Sequence, residues 1–393
     1  MTKSKSIEIK PDIETFAKIK VLGIGGSGGS AINRMIKSKL RGIEFIAVNT
    51  DAQALNSNEA TKKMHIGKET TRGLGAGMDP ELGAQAAEES EDDIKSILEG
   101  ADMVFLTCGF GGGTGTGAAP IVAGIAREIG ALTVAVVTKP FSFEGAQRRT
   151  IAERGLESLI DKVDTIITIP NDRLLQVIDK KTSLLDAFAI VDEVLKQGVQ
   201  GISEIITVPG LINVDFADVK SIMQNAGSAL MGIGRASGEN RAVEAARAAI
   251  DSPLLELSIR GAKGVLFTIA GDSDLTMHEV NEAAEVITSS VDPSAKIIFG
   301  AVIDESLNDE IKITVIATGF NARTETETES MKAKDEEAVT PGPFFKTETV
   351  AKNIFSKKTG KSQESDKVIL PPKTKEEEEL DIPAFIRKKM GDK

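Results

Sequence analysis

The sequence predicts a two-domain α/β protein whose first domain is built on a parallel sheet. Between Lys18 and Ile169, short apolar runs of strand length alternate with segments of helical periodicity, which is typical of βαβ units. Beyond residue 208 the elements follow a different order, which indicates an α+β second domain with its own core. A length of 393 residues also favours two domains plus a further segment.

Two glycine-rich segments each follow a predicted strand and precede a predicted helix. Residues 23–30 stand between a strand at 18–24 and a helix at 31–37, and residues 109–117 stand between a strand at 101–106 and a helix at 121–128. Backbone N–H groups that no side chain covers bind phosphate at a helix N-terminus. We therefore expect two phosphate-binding loops, with hydroxyl donors from Thr114 and Thr116. The Gly-Lys-Ser/Thr ending of a P-loop is absent from the second segment.

The remaining strands of the first domain also end in polar residues. The strand at 44–50 ends in Asn49-Thr50-Asp51, and a third glycine-rich loop precedes a helix that we expect from Asp79 to Leu98. The strand at 131–138 leads to Glu144 and a helix from residue 145, and the strand at 163–169 leads to Asn171. Open α/β sheets bind ligands at the carboxyl ends of their strands, so these side chains are candidate ligand contacts.

A long apolar helix is predicted at residues 183–207. Its apolar positions leave hardly any polar face, so we expect it to be buried between layers or domains. A loop rich in aspartate follows, Asn213-Val-Asp-Phe-Ala-Asp218, and then a helix to Asn225. The strands expected beyond it lie at 228–235, 264–270, 297–302 and 310–318, with helices at 240–250 and 277–291.

Composition and charge narrow the classes of function. Cys108 is the single cysteine, so a disulfide framework is excluded and a cytoplasmic protein is expected. We also expect no membrane span, because no segment of the sequence is long and apolar enough to cross a bilayer. The net charge is −12, and residues 321–393 carry 15 basic and 15 acidic residues, so the acidic excess falls on the preceding body. Such a body argues against nucleic-acid binding. A bound nucleotide would instead need backbone dipoles and a cation such as Mg²⁺.

The two ends of the chain differ from the body in amino-acid composition. Residues 1–17 are predicted to be disordered, and residues 321–379, rich in Thr, Glu, Lys and Pro, are predicted to be a disordered linker. Residues 380–393 regain apolar and basic character, with Phe385 and Ile386 beside Arg387. This pattern favours a short docking peptide.

The motifs together resemble those of the FtsZ family within the tubulin superfamily. The resemblance rests on Gly111-Gly-Gly-Thr-Gly-Thr-Gly117, on the aspartate loop and on the ending Asp381-Ile-Pro-Ala-Phe385. It implies a tubulin-like fold: a Rossmann-like GTP-binding domain at 18–182, a central helix at 183–207 and an activating domain at 208–320. It further implies GTP/GDP and Mg²⁺ as ligands, a head-to-tail homopolymer, a role in the division ring, and a membrane-tethering partner for residues 381–389.

The resemblance also assigns roles to individual residues, with no protein ligand expected for a structural metal. The residues expected to bind nucleotide are Gly26, Ser27, Gly28, Gly29, Ser30, Gly112, Gly113, Thr114, Gly115, Glu144, Arg148, Asn171, Phe188 and Asp192. Asn213, Asp215 and Asp218 would act on the GTP of the next subunit. Ser27 and Ser30 depart from the family pattern of an unbroken glycine run followed by asparagine.

Three functions remain open from the sequence. The first is a polymerising GTPase, and the second is a tubulin-like scaffold that binds nucleotide with little or no hydrolysis. The third is a Rossmann-type dehydrogenase, for which Glu44 and Asp51 are candidate ribose ligands. The absence of any tyrosine disfavours the third function. Three residues also have simpler interpretations: Glu144 and Arg148 as an ordinary i, i+4 helix pair, and Asp215 as a helix N-cap.

Overall fold

The computed structural model describes residues 17–176, 181–208, 210–253, 255 and 258–320, all within one compact unit. Predictions for residues 1–16 and 321–393 lie outside this part of the chain. The strands are β1 (Ile19–Ile24), β2 (Ile43–Asn49), β3 (Lys62–His65), β4 (Met103–Gly109), β5 (Leu132–Lys139), β6 (Thr165–Pro170), β7 (Gly227–Ser237), β8 (Gly264–Gly271), β9 (Lys296–Ile303) and β10 (Glu310–Thr318). The helices are α1 (Gly25–Lys37), α2 (Ala52–Asn56), α3 (Pro80–Glu89), α4 (Glu91–Leu98), α5 (Thr114–Glu128), α6 (Ala146–Ile160), α7 (Asn171–Leu174), α8 (Leu184–Thr207), α9 (Phe216–Met223), α10 (Arg241–Ile250) and α11 (Met277–Thr288).

The strands form one ten-stranded sheet in the order β3-β2-β1-β4-β5-β6-β7-β10-β8-β9. Strands β1 to β6 are parallel, as the sequence predicts, and β10 runs antiparallel to both β7 and β8. Strand β7 connects the two halves because it pairs with β6 through Gly227 to Ala229 and with β10 along most of its length. The α/β first half and the α+β second half are thereby confirmed.

Three apolar clusters build the core. One lies between the parallel strands and helices α1, α8 and α9, and a second lies on the opposite face of the sheet under α3, α4, α5 and α6. The third packs α10 and α11 on the second half. Cys108 is fully buried in the second cluster, and this burial raises the pKa of its thiol far above the ordinary range. The residue is therefore part of the core.

Helices α1 and α5 begin earlier than the sequence predicts. We expected starts at residues 31 and 121, but the helices start at Gly25 and Thr114, within the glycine segments. A Cβ on Gly28 would collide with the carbonyl oxygen of Thr107, and one on Gly117 would collide with that of Pro80. These glycines serve close packing of a helix against a neighbouring element, so low intrinsic helix propensity does not decide the boundary.

Two further boundaries differ from expectation, and three short elements were missed. The helix expected from Asp79 to Leu98 breaks at Ser90 into α3 and α4, and the Ser90 hydroxyl accepts the Gly67 N–H. Helix α9 starts at Phe216, so Asp218 lies in its first helical turn rather than in a loop. The short elements are α2, β3 and α7, whose few residues give no clear periodicity.

Helix α8 lies inside the molecule for most of its length. From residue 189 to residue 207 none of its side chains is exposed, whereas Leu185 and Phe188 in its first turns are. The helix packs against α1 and β5 on the first half, and Gly201 approaches Thr314 of β10 on the second. Burial between layers is thus confirmed. Among the described residues, no helix is both long enough and apolar enough to cross a bilayer.

The loop between β3 and α3 is fixed by the carboxylate of Glu89. This carboxylate accepts the N–H groups of Glu69 and Thr70, each at 3.0 Å, and the Thr70 hydroxyl at 2.6 Å. These bonds lower the pKa of Glu89 to about 2. Further along the loop, the Gly73 carbonyl accepts the Ala52 N–H at the start of α2, and the Gly75 N–H donates to the Thr50 carbonyl. Leu74 between them is 85% exposed. The Glu89 contact therefore holds the base of a loop whose tip faces solvent.

Replacing Glu89 by glutamine is expected to loosen this loop. An amide group would turn one oxygen that accepts hydrogen bonds into an N–H₂ donor facing other donors, so the amides of Glu69 and Thr70 should exchange with solvent several-fold faster. Hydrogen exchange followed by mass spectrometry measures this, with Glu88→Gln as the matched control on the same helix. Equal exchange in both variants would show that Glu89 does not hold the loop.

Candidate functional site

A cavity of about 360 Å³ opens at the carboxyl ends of the central strands. Twelve of the fourteen residues expected to bind nucleotide line it: Gly26, Ser27, Ser30, Gly112, Gly113, Thr114, Gly115, Glu144, Arg148, Asn171, Phe188 and Asp192. They come from both glycine segments, from the start of α6 and the residues just before it, from α7, and from the first turns of α8. The topology thus brings distant parts of the sequence to one place, where open parallel sheets bind ligands.

The N-termini of α1 and α5 converge on this cavity. Neither helix has a side chain that caps its first N–H groups, so these donors are open to a ligand. The backbone φ is +74° at Gly25 and +95° at Gly111, which only glycine adopts without strain. A Cβ added to Gly25 would lie 3.1 Å from the Gly115 nitrogen, so the two helix starts are nearly in contact. Two positive dipole ends at one point make an anion cradle.

The threonines of the second glycine segment divide into two roles. Thr114 lines the cavity, and its hydroxyl lies 2.6 Å from that of Thr50 at the end of β2. Thr116 is buried, and its hydroxyl accepts the Gly111 N–H at 3.0 Å. The expectation that both hydroxyls meet phosphate therefore fits Thr114 alone, while Thr116 shapes the loop.

Glu144 and Arg148 form one wall of the cavity. One carboxylate oxygen of Glu144 accepts the Phe141 N–H at 2.9 Å, and the other accepts a hydrogen bond from the Arg148 guanidinium at 3.0 Å. The i, i+4 pair expected from the sequence is thus present. Because Glu144 also accepts a backbone N–H just before α6, the pair holds the Arg148 guanidinium at the cavity rather than free in solvent.

A second wall of the cavity combines an amide, an aromatic ring and a carboxylate. Asn171 is 5% exposed, and its side-chain oxygen is buried with no hydrogen-bond partner among the described residues. Phe188 is 41% exposed and forms an edge-to-face pair with Phe141, with the two ring centres 5.7 Å apart. A buried acceptor without a donor is costly unless a ligand or water satisfies it. This wall therefore fits a flat ligand with N–H groups at its edge.

Asp192 completes this wall and has a perturbed pKa. Burial raises the pKa of its carboxyl to about 6, and the positive charge of Arg34 on α1 partly opposes this shift. The Arg34 Nε is itself buried, with no hydrogen-bond partner in the part of the chain that the structure describes. Sequence reasoning missed Arg34, since a basic residue in the last turns of a helix is common and suggests only a favourable dipole contact.

Of four residues in the first glycine segment, two lie at the cavity and two do not. The hydroxyls of Ser27 and Ser30 are exposed at the cavity and form no hydrogen bond within the described part of the chain. Gly28 and Gly29 do not line the cavity. Gly28 packs against β4, and a Cβ on Gly29 would come within 3.1 Å of the Asn58 amide nitrogen. The nucleotide contacts expected of these two glycines remain predictions.

Asn213, Asp215 and Asp218 lie away from the cavity, beyond the far end of α8. Asp192 and Thr207 are separated by fifteen residues of this helix, or about 22 Å at 1.5 Å per residue. The Asn213 side chain accepts the Gly210 N–H at 2.6 Å, and Ile212 pairs with Ala301 of β9. The aspartate loop is thereby fixed to the second half of the molecule, and none of these three residues lines the cavity.

The two aspartates have different surroundings. One oxygen of Asp215 accepts the Asp218 N–H at 2.8 Å, so Asp215 is the N-cap of α9 as the simpler interpretation expects. The carboxylate of Asp218 forms no hydrogen bond or ion pair with any residue that the structure describes. The dehydrogenase hypothesis gains no support, since Glu44 pairs with Lys62 and Asp51 caps α2.

Comparison with known proteins agrees with this arrangement. Residues 18–179 match the protein-family model described as Tubulin/FtsZ family, GTPase domain, and residues 227–321 match FtsZ family, C-terminal domain. A structure of M. jannaschii FtsZ, described as an empty dimer, is 49% identical, with 79% of this chain and 90% of that chain covered and a TM-score of 0.76.

More distant structures share the fold. CetZ2 from Haloferax volcanii, described as a GTPγS-bound protofilament, is 21% identical, with 82% and 99% of the two chains covered and a TM-score of 0.66. CetZ1 from the same organism, described as a GDP-bound monomer, is also 21% identical, with 81% and 100% covered and a TM-score of 0.68.

Replacing Asp192 by asparagine is expected to stabilise the ligand-free protein in a pH-dependent way. The pKa of about 6 in the folded state lies above the ordinary 3.8, so the ionised carboxylate destabilises the fold above pH 6, and this cost fades as the pH falls toward 3.8. The variant should melt a few degrees higher than the wild type near pH 8 and at nearly the same temperature near pH 4.

Thermal unfolding without nucleotide at both pH values tests this, with Asp251→Asn as a control at an exposed aspartate. A gain that is the same at both pH values would show that burial of the charge is not the cause.

Proposed function

The chain belongs to the Tubulin/FtsZ family, and from that premise we propose that it is a GTPase that polymerises head to tail and sustains a cell-division ring. The family supports GTP binding and GTP hydrolysis in general terms. The observation that carries the finer proposal is the position of the aspartate loop at the opposite end of α8 from the nucleotide cavity.

GTP fits the cavity by its chemistry. The phosphates would lie at the N-termini of α1 and α5, where free N–H groups and two dipoles offset their charge. Arg148 would contact phosphate and Glu144 the ribose hydroxyls, while Phe188 would stack on the base. The ionised carboxylate of Asp192 would accept both N1–H and N2–H of guanine, a pair that adenine lacks. The unpaired oxygen of Asn171 would accept a further donor of the base.

Mg²⁺ would be held mainly by the phosphates. The described residues contain no group of three or more His, Cys, Asp or Glu side chains arranged for a metal ion. This fits Mg²⁺, which commonly keeps several waters and binds through substrate phosphates with few protein ligands.

Hydrolysis would require two subunits. The carboxylate of Asp218 has no partner among the described residues, and Asp215 has a second oxygen that its capping role does not use. Against the nucleotide of the next subunit, these groups would orient and polarise the attacking water, with Asn213 beside them, and help to hold the cation. A contact between one end of a subunit and the other end of its neighbour does not close, so it propagates as a filament. The M. jannaschii relative, described as a dimer, is consistent with self-association.

The tail would connect the filament to the membrane. We extend the proposal to residues 381–389, which would dock onto a membrane-tethering or division-regulating protein in the cytoplasm at the division site. Phe385 and Ile386 would provide the apolar anchors, and Arg387 and the two lysines after it would provide charge attraction. These residues lie outside the part that the structure describes.

Asp218→Asn is expected to bind GTP with unchanged affinity while its hydrolysis falls by about two to three orders of magnitude, since an amide polarises water poorly. In the wild type, phosphate release per molecule should rise steeply with protein concentration. A phosphate-release assay over a concentration series, with nucleotide binding measured in parallel, gives both results. Asp251→Asn, at an exposed aspartate just after α10, is the matched control.

The outcomes separate the candidate functions. Activity per molecule that does not change with concentration would mean that each subunit hydrolyses GTP alone. Filaments that form with GTP but release no phosphate would instead support the nucleotide-binding scaffold. That alternative is motivated by Ser27 and Ser30, which depart from the family pattern in the first glycine segment.

A further inference from the structure

A second cavity, of about 530 Å³, lies along the later turns of α8 and shares no residue with the nucleotide cavity. Its walls come from three parts of the chain: the turn at residues 38–41 after α1, the later turns of α8, and the second half through β7, β10 and residues 304–307. We call it the interdomain cleft. Its volume is that of a small-molecule site.

The interdomain cleft contains more cationic groups than its acidic groups neutralise. Its five cationic side chains are those of Lys39, Arg41, Lys196, Arg235 and Lys312. Lys196 is paired with Glu193 at 2.6 Å. The other four form no ion pair within the part of the chain that the structure describes. They come from the first half, from β7 and from β10, so they reach the cleft from both sides.

Most of the acidic groups in the cleft are already engaged. Glu193 holds Lys196, Glu204 accepts the Gln200 amide at 2.6 Å, and Asp304 accepts the Ser306 N–H and hydroxyl. Glu310 alone has no hydrogen-bond or ion-pair partner among the described residues. In a chain with a net charge of −12, a concave surface lined by five cationic and four acidic side chains stands apart.

Lys312 is the most enclosed of these unpaired cations. Its side chain is half-buried on β10, facing α8. Burial lowers its pKa, the neighbouring Arg235 and Lys196 add to this shift, and Glu204 and Asp304 oppose it. An ammonium group in such a place is unfavourable unless a counter-charge reaches it. Among the described residues, no acidic side chain lies within ion-pair distance of the Lys312 ammonium, so the position is suited to an external anion.

We propose that the interdomain cleft binds a small polyanion that carries at least two phosphate or carboxylate groups. Lys312 and Arg235 contact one anionic group from the second half, and Lys39 and Arg41 contact another from the first half. The ligand bridges the two halves beside α8, whose first turns line the nucleotide cavity. The site is independent of the proposed GTPase activity.

Binding of inorganic pyrophosphate and of citrate to GDP-saturated protein tests this proposal by isothermal titration calorimetry. Saturation with GDP keeps the nucleotide cavity out of the measurement. The variant Lys312→Gln should weaken binding by about tenfold, since a hydrogen bond to a charged group is lost. Lys162→Gln makes the same charge change at an exposed residue after α6, and it should leave the affinity unchanged.

Stability measurements separate loss of binding from loss of folding. Lys312→Gln removes an unpaired charge, so its melting temperature without ligand should equal or exceed that of the wild type. Tighter binding of pyrophosphate than of citrate would identify a phosphorylated ligand, and the reverse a polycarboxylate. No binding of either anion, or equal weakening by both substitutions, would overturn the proposal.

Discussion

The structure depends on the close approach of two helix N-termini at one edge of the sheet. Helices α1 and α5 start side by side, with a Cβ position on Gly25 only 3.1 Å from the Gly115 nitrogen. Their neighbours Gly28 and Gly117 allow the helices to pack against β4 and α3 at distances that no side chain permits. Glycine is unfavourable in a helix by about 1 kcal/mol relative to alanine. Here it is needed for an anion cradle with free N–H groups.

The same cavity contains groups that destabilise the empty protein. Asp192 has its pKa raised to about 6 by burial, and Asn171 has a buried oxygen without a donor. Functional sites commonly contain such unfavourable groups, because a ligand satisfies them when it binds. Helix α8 carries Asp192 at one end and leads to Asp215 and Asp218 at the other, so it separates nucleotide binding from the aspartates. That separation makes a second subunit necessary in the proposed mechanism.

Much of this could be predicted from the sequence, for physical reasons. Strands β1 to β10, apart from β3, follow from apolar runs, and the buried α8 follows from its lack of a polar face. The starts of α1 and α5 could not be predicted, because they depend on tertiary contacts of glycines rather than on propensity. Arg34 and Glu89 were also missed. Their roles arise from residues far away in the sequence, Asp192 and Thr70, and no local pattern marks them.

The most direct test of the account is a mixing experiment between two inactive variants. Asp218→Asn keeps a sound nucleotide cavity but lacks the aspartate, and Asp192→Ala keeps the aspartates but should not bind GTP. A shared site between subunits predicts that the mixture regains phosphate release far above the sum of the separate activities, because some contacts unite the intact parts. A mixture that shows only that sum, in filaments containing both variants, would contradict hydrolysis between subunits.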